Sequence, residues 1–402
     1  METESQHAAR LGMSRRGFLQ ALAAVSTVAA LSACTEFDAA MLPAPAATDT
    51  ATPYFKDSAP FRLHPGAGLE ARLEAMQGVV TPTRLFFVRN NAASPGLEAR
   101  DWRLLVEGDG VSTPLELSYP DIRGMPGRTL VSYLECAGNH RAMFDLVQGR
   151  PAQGTQWMTG AVGNAEWTGV ALRDVLTRAG IREDAASVLL IGLDVDAPEE
   201  GFRRVLPVAK AMHPDTLLAY AMNGDVLPPD HGFPLRAVVP GWVGSSSIKW
   251  LGRIQVSTEP LWTRNNSTSY VLIGDDFPAE GDRLGPAVTT QTIKSALALA
   301  WPAELSAGPH RLHGYAQSPH GPIEKVEWSL DDGATWRQAA QVDPQFQYSW
   351  ARFRIDLELR PGLHTIMTRA TDAAGNTQPD AVLFNAKGYL FNQPVPHPLR
   401  VG

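Results

Sequence analysis

The chain has 402 residues, 44% of them apolar and 19% charged, which is enough to bury the cores of two domains or more. A formal net charge of −7 excludes a basic surface for nucleic acid, although a local arginine cluster can still hold a small anion. With 35 Gly and 31 Pro, the composition favours short strands and loops over a helical bundle.

The first 34 residues read as an address rather than as fold. "MSRRGFLQ", residues 13–20, resembles the twin-arginine export motif, and the apolar run at 21–31 is too short to cross a bilayer comfortably. That route carries folded proteins, often with a cofactor already inserted, so the motif implies a periplasmic protein loaded before export. "LSAC", residues 31–34, resembles a lipobox that would make Cys34 an acylated first residue; a plain cleavage nearby is the other reading, and both stand. Residues 35–60, rich in Ala, Pro and Thr, form a linker. After the signal no apolar run is long enough for a membrane helix.

Residues 61–286 carry short apolar strands punctuated by Gly and Pro. "TRLFFVRN" and "WRLLVEG" predict strands, "GVALRDVLTRAG" a short helix closed by Gly180, and "SVLLIGLDV" a buried strand. "FPLRAVVPG" and "IKWLGRIQVS" predict two more. From residue 287 the spacing changes: "KVEWSLDDGATWRQA" reads as a hairpin turning at Asp332-Gly333, and "ARFRIDLEL", "GLHTIMTRATD" and a turn at "AAGN" continue it. The expected class is therefore α+β, with a mixed, mostly β domain at 61–286 and an immunoglobulin-like β-sandwich at 287–402.

Cys136 is the only cysteine besides Cys34. A solitary cysteine is commonly a small buried apolar residue. Here it ends a strand-like "TLVSYLE" and enters "CAGNHR", where Arg141, and His140 if charged, lower a thiol's pKa. A thiolate serves either as a nucleophile or as a ligand for a soft metal, and the residues alone leave both open.

"ECAGNHR" resembles the cysteine loop of the sulfite oxidase family of molybdenum enzymes. "FFVRNN", "WMTGAVGNAEWTGVALRDVL", "GLDVD", "LAYAMNGDVLPPDHGFPLRAVVPGWVGSSSIKWL" and the immunoglobulin-like tail follow the family's order, over residues 80–390. The resemblance implies a molybdopterin-binding catalytic domain at 61–286 and a dimerisation domain at 287–402. It implies Cys136 as the protein thiolate on molybdenum, with one molybdopterin per metal. Cofactor contacts would fall on Phe87, Arg89, Asn90, Asn91, Asp194, His231, Arg236, Ser247, Ile248 and Lys249, where Arg236 and Lys249 suit a phosphate as fork and point charge. Arg89, Arg141, Trp157 and Tyr270 would surround an anionic substrate, and Arg352 and Arg354 are candidates for a further arginine from the tail.

Three positions depart from the family's habit: Asn91 stands for His, His140 for Arg and Glu166 for Arg. No CxxCH motif occurs, so the expectation is a haem-free chain that passes electrons to an external partner, a c-type cytochrome. The leading reading is oxidation of sulfite to sulfate by a homodimer. The alternatives are another S- or N-oxide on the same cofactor, and a metal-free, lipid-anchored binding protein.

Overall fold

The apolar run leading to Cys136 becomes the strand Gly127–Glu135, paired antiparallel along its whole length with Val162–Ala171. These two form one side of a five-stranded sheet with Leu217–Met222, Asp225–Val226 and Arg236–Val238. A second five-stranded sheet runs in the order Leu115–Ser118, Arg103–Glu107, Leu251–Ser257, Ser187–Gly192, Arg203–Pro207. Its one parallel pair joins Arg103–Glu107 to Leu251–Ser257. Both sheets feed one apolar core that includes Val106, Leu134, Trp167, Leu190, Leu218 and Ile254. Burial of this kind stabilises by about 25 cal/mol per Å² of apolar surface removed from water.

The computed structural model describes residues 53–344 and 346–402. The export segment, Cys34 and residues 35–52 of the expected linker lie outside them.

The expected helix forms at Leu172–Arg178, burying Leu172, Val175 and Leu176 at helical spacing. Gly180 follows with φ +65°, the left-handed geometry that glycine adopts at a helix end. The residues "GVA" ahead of it belong instead to the strand Val162–Ala171. "TRLFFVRN" also departs from expectation: it forms a 3-10 turn at Thr83–Leu85 and only a two-residue strand, Val88–Arg89. Phe86 and Phe87 are both buried, with ring centroids 5.4 Å apart, so this run lacks the alternate exposure of a half-buried strand.

The tail is a β-sandwich, as expected. One sheet orders Lys294–Leu297, Gly308–Gln317, Ala351–Leu359 and Ala340–Gln341. The other orders Ala303–Leu305, His397–Val401, Gly362–Asp372, Ile323–Ser329 and Arg337–Gln338. Between them lies a second core of Ile293, Leu312, Phe353, Ile355, Ile366 and Leu399. The Asp332-Gly333 turn holds both residues at positive φ, +55° and +85°, as the hairpin reading requires. The two cores are stitched together: Trp350 Nε1 donates to the Val79 carbonyl at 2.6 Å, and Asn164 Nδ2 to Ser349 Oγ at 2.8 Å.

Candidate active site

Past Glu135 the chain turns sharply. The Cys136 amide donates to the Ala161 carbonyl at 2.9 Å, and the Asn139 amide returns to the Cys136 carbonyl at 2.9 Å. His140 sits at φ +70°, and the helix Ala142–Gln148 begins two residues later. The turn leaves Cys136 half-buried on the wall of a cleft.

That cleft gathers most of the residues expected from sequence. Phe87, Arg89, Asn90, Asn91, Asp194, His231, Arg236, Ser247, Ile248, Lys249 and Tyr270 all line it with Cys136. They come from a few segments, with Phe87 to Asn91, His231 with Arg236, and Ser247 to Lys249 each arriving together. Gly244 lets the loop carrying Ser247 pass close to the cysteine strand, because a Cβ there would lie 2.9 Å from the Glu135 carbonyl.

The electrostatics of the cleft are unbalanced in one direction. Arg236 is buried and donates only to carbonyls, of His231 at 3.0 Å, Ser247 at 3.1 Å and Ala237 at 3.3 Å, and burial pushes its guanidinium down to about 9. Lys249 donates to Asn90 Oδ1 and to the Asp230 carbonyl, and burial, followed by the nearby Arg236 charge, pushes its ammonium well below the usual lysine value. The Asp230 carboxylate is itself taken up by the amides of Phe55 and Lys56. Burial also holds His231 well below the usual histidine range, and its Nε2 is a buried atom with no hydrogen-bond partner. Asp194 is the one carboxylate on the wall, raised by burial and accepting from the Phe202 amide at 2.9 Å. Two buried cations without a carboxylate partner and an orphaned imidazole nitrogen are costly unless an anion with acceptor oxygens lies between them.

Arg141 and Trp157 do not join this wall. Trp157 is fully buried behind the strand pairing of Gly68 and Arg89, tilted against His64 at 4.5 Å. Arg141 Nε donates to the Lys387 carbonyl at 2.8 Å and Nη1 to the Thr155 carbonyl at 2.7 Å. Thr155 lines a second recess, which shares Arg89, Asn90 and Asn91 with the first.

The departures from the family's pattern are also placed. Asn91 lines the cleft and accepts from Arg89 Nη2 at 3.1 Å. His140 is turned inward onto Phe391 and is held neutral by burial first and by Lys294 second, so it does not face the cleft as an anion contact. Glu166 lies outside the cleft on the strand Val162–Ala171, where burial raises its carboxyl. Arg352 and Arg354 are not pocket arginines: the first is held by Asp343 at 2.6 Å and the second by Asp356 at 2.8 Å.

Sequence reasoning missed Tyr389, which the segment after the sandwich strand Gly362–Asp372 returns to the cysteine loop. The Leu390 amide donates to the Ala137 carbonyl at 2.9 Å, and the Tyr389 ring stacks on Tyr270 at 5.4 Å. Arg204 was missed too; it is fully buried, with its guanidinium 5.4 Å from the Tyr270 ring. No local motif marks either residue, because each acquires its neighbours only through the tertiary fold.

Residues 91–265 match the family described as oxidoreductase molybdopterin binding domain, and residues 288–394 the Mo-co oxidoreductase dimerisation domain. Sulfite oxidase from Gallus gallus is 35% identical over 86% of this chain and 80% of its own. The chain belongs to the sulfite oxidase family of molybdopterin oxidoreductases. Nitrate reductase [NADH] from Lotus japonicus is 32% identical over 78% of this chain and 38% of that protein. The chain spans about three fifths of the mammalian mitochondrial sulfite oxidases it matches, 61% for Homo sapiens. Among solved structures, the sulfane dehydrogenase SoxCD from Paracoccus pantotrophus aligns with TM-score 0.72 and 27% identity, over 81% of this chain and 82% of that one.

The family's cofactor is molybdenum carried on a molybdopterin, and the cleft fits it. Cys136 offers the soft donor, while Arg236, Lys249 and the unpartnered His231 Nε2 suit a phosphate and a polar ring system. A metal-free binding protein would leave those cations buried without recompense, and the family assignment makes the chain an enzyme of the sulfite oxidase type.

Proposed function

We propose that this enzyme oxidises sulfite to sulfate, passes the electrons singly to an external c-type cytochrome, and works as a homodimer. The observation that carries the reading is the convergence of Cys136 with Arg89, Arg236 and Lys249 in one cleft that has a single carboxylate on its wall. The match to a dimerisation domain over residues 288–394 supports the homodimer.

When bound, the molybdenum cofactor supplies two-electron exchange of an oxygen atom. Cys136 would hold the metal by its sulfur, and Arg236 and Lys249 would hold the pterin's phosphate. Phe87, Asn90, Asn91, Asp194, His231, Ser247 and Ile248 complete the lining that orients it. Arg89, which lines both recesses, attracts the oxyanion to the cleft. Arg141, fixed by two carbonyls, adds a second positive charge beside that path, and Trp157 braces the Arg89 strand from behind. Tyr270 adds a phenol to the cleft wall, able to donate to or accept from the oxyanion. Overall, sulfite and water become sulfate, two protons and two electrons.

We further propose export by the twin-arginine route to the periplasm, with Cys34 either acylated or removed with the signal. No described helix is long and apolar enough to cross a membrane.

The test is steady-state turnover by molybdenum-loaded protein with sulfite and cytochrome c; absence of turnover sinks the sulfite reading. The likeness to a sulfane dehydrogenase and the stacked phenols beside Cys136 favour a second reading, a different sulfur substrate or another S- or N-oxide on the same cofactor. Turnover of a sulfane substrate in preference to sulfite would establish it.

A further inference from the structure

The residue before Cys136 is a buried carboxylate that takes hydrogen bonds from three side chains. Glu135 is fully buried and belongs to the last position of its strand. Its Oε1 accepts from Lys294 Nζ at 2.6 Å and from Asn139 Nδ2 at 3.0 Å, and its Oε2 from Gln317 Nε2 at 3.2 Å. Its carbonyl accepts from Gln291 Nε2 at 2.8 Å. Lys294 Nζ also reaches the Asn139 carbonyl at 3.4 Å, and Asn139 Oδ1 takes the Ala161 amide at 3.0 Å.

Three of these partners, Gln291, Lys294 and Gln317, come from the region of the dimerisation domain. Glu135 and Asn139 bracket Cys136. A buried ion pair returns little net stability when compared with apolar packing, because desolvating both charges costs about what their attraction returns. It does fix geometry, since both oxygens of the carboxylate are tied to particular donors, Oε1 to Lys294 and Asn139 and Oε2 to Gln317. The cysteine loop is thereby referenced to the sandwich on one side, and by the Leu390 amide to Ala137 on the other.

We propose that Glu135 and Lys294 are positioning residues for the Cys136 sulfur: their ion pair lets the sandwich set the loop that presents the metal ligand. The inference rests on the reading of Cys136 as that ligand. Neither residue lines the cleft, and the pair acts through the backbone of residues 135–139. Outer partners of metal ligands typically alter metal affinity by about 10–100-fold when removed.

The test compares full-length wild type, Lys294→Met, Lys294→Gln and the Glu135→Gln/Lys294→Gln double variant. Each is made with and without the molybdenum cofactor. Three quantities are read: molybdenum per chain, the iodoacetamide alkylation rate at Cys136 by peptide mass spectrometry, and the thermal midpoint. In Lys294→Met, alkylation of cofactor-free protein is expected to rise about tenfold and molybdenum retention to fall about as much. The double variant, which restores a neutral amide pair, is expected to return both toward wild type. Where Lys294→Met does not fold, Lys294→Gln is read in its place, with a rise of about threefold expected, the smaller loss of a charged but still hydrogen-bonded partner. A lowered midpoint with unchanged alkylation and unchanged molybdenum overturns the proposal and leaves the pair merely structural. Alkylation of wild-type Cys136 that is equally fast with and without cofactor overturns the ligand reading instead.

Discussion

Tyr270 and Tyr389 lie face to face, with ring centroids 5.4 Å apart and planes 10° from parallel. Arg141 covers the outer side of Tyr389 at 5.2 Å, and Arg204 lies 5.4 Å from the Tyr270 ring. The four side chains form a column of two phenols flanked by two guanidiniums, beside the cysteine loop. Burial first, and Tyr270 second, push the Tyr389 phenol up to about 12, so it stays protonated and able to donate at any working pH.

Tyr389→Leu removes the ring that carries Arg141. The expected cost in stability is about 1 kcal/mol beyond the lost area, seen in urea unfolding, with a raised KM for sulfite. Tyr389→Phe keeps the stack and is expected to keep the KM near wild type.

Arg141→Ala removes charged hydrogen bonds to the Lys387 carbonyl and to the carbonyl of Thr155, a residue that lines the second recess with Arg89. A loss of about 1.5–3 kcal/mol in kcat/KM for an anionic substrate is expected, mainly through KM. Steady-state kinetics at several salt concentrations checks it. Arg141→Lys is expected to recover little, because an ammonium does not reproduce the guanidinium fork.

Cys136→Ser is expected to abolish sulfite oxidation while leaving the fold intact, since a hydroxyl is a poor replacement for thiolate on molybdenum. Activity together with circular dichroism decides this. A metal-loaded serine variant that still turns over contradicts the ligand role.

Lys56 offers a pH signature. Lys56 is half-buried, its ammonium donates to the carbonyls of Thr83 and Phe86 at 2.6 Å each, and that burial pushes it from 10.5 down to about 7. Between those values the unfolded chain binds more protons than the folded one, so this group's contribution to stability rises with pH and is lost as pH falls toward 7. The urea midpoint of cofactor-free protein is expected to climb from about pH 7 to about pH 9.5, and Lys56→Met to flatten that climb.

Much of the site could be read from the chain because its parts sit at strand ends in unbroken local motifs. Arg236 and His231 belong to "DHGFPLR", and Ser247 and Lys249 to "SSSIK", so a short window contained both the residue and the turn that aims it. His140 was harder. Its place beside Arg141 implied a shared direction, but a positive φ turns the imidazole into the core toward Phe391. The run at Phe86 and Phe87 looked like a strand because apolar content was visible and the loss of alternation was not. Tyr389 and Lys294 were illegible for a different reason: their partners lie far away in sequence, and only the docking of the sandwich brings them to the cysteine loop.

The seam between the two cores has an evolutionary reading. Contacts from Gln291, Lys294, Gln317 and Leu390 to the turn around Cys136 mean that the halves are not interchangeable cassettes. A chimera that took its sandwich from a relative would have to inherit matching side chains at Gln291, Lys294 and Gln317, or redesign residues 135–139 along with them.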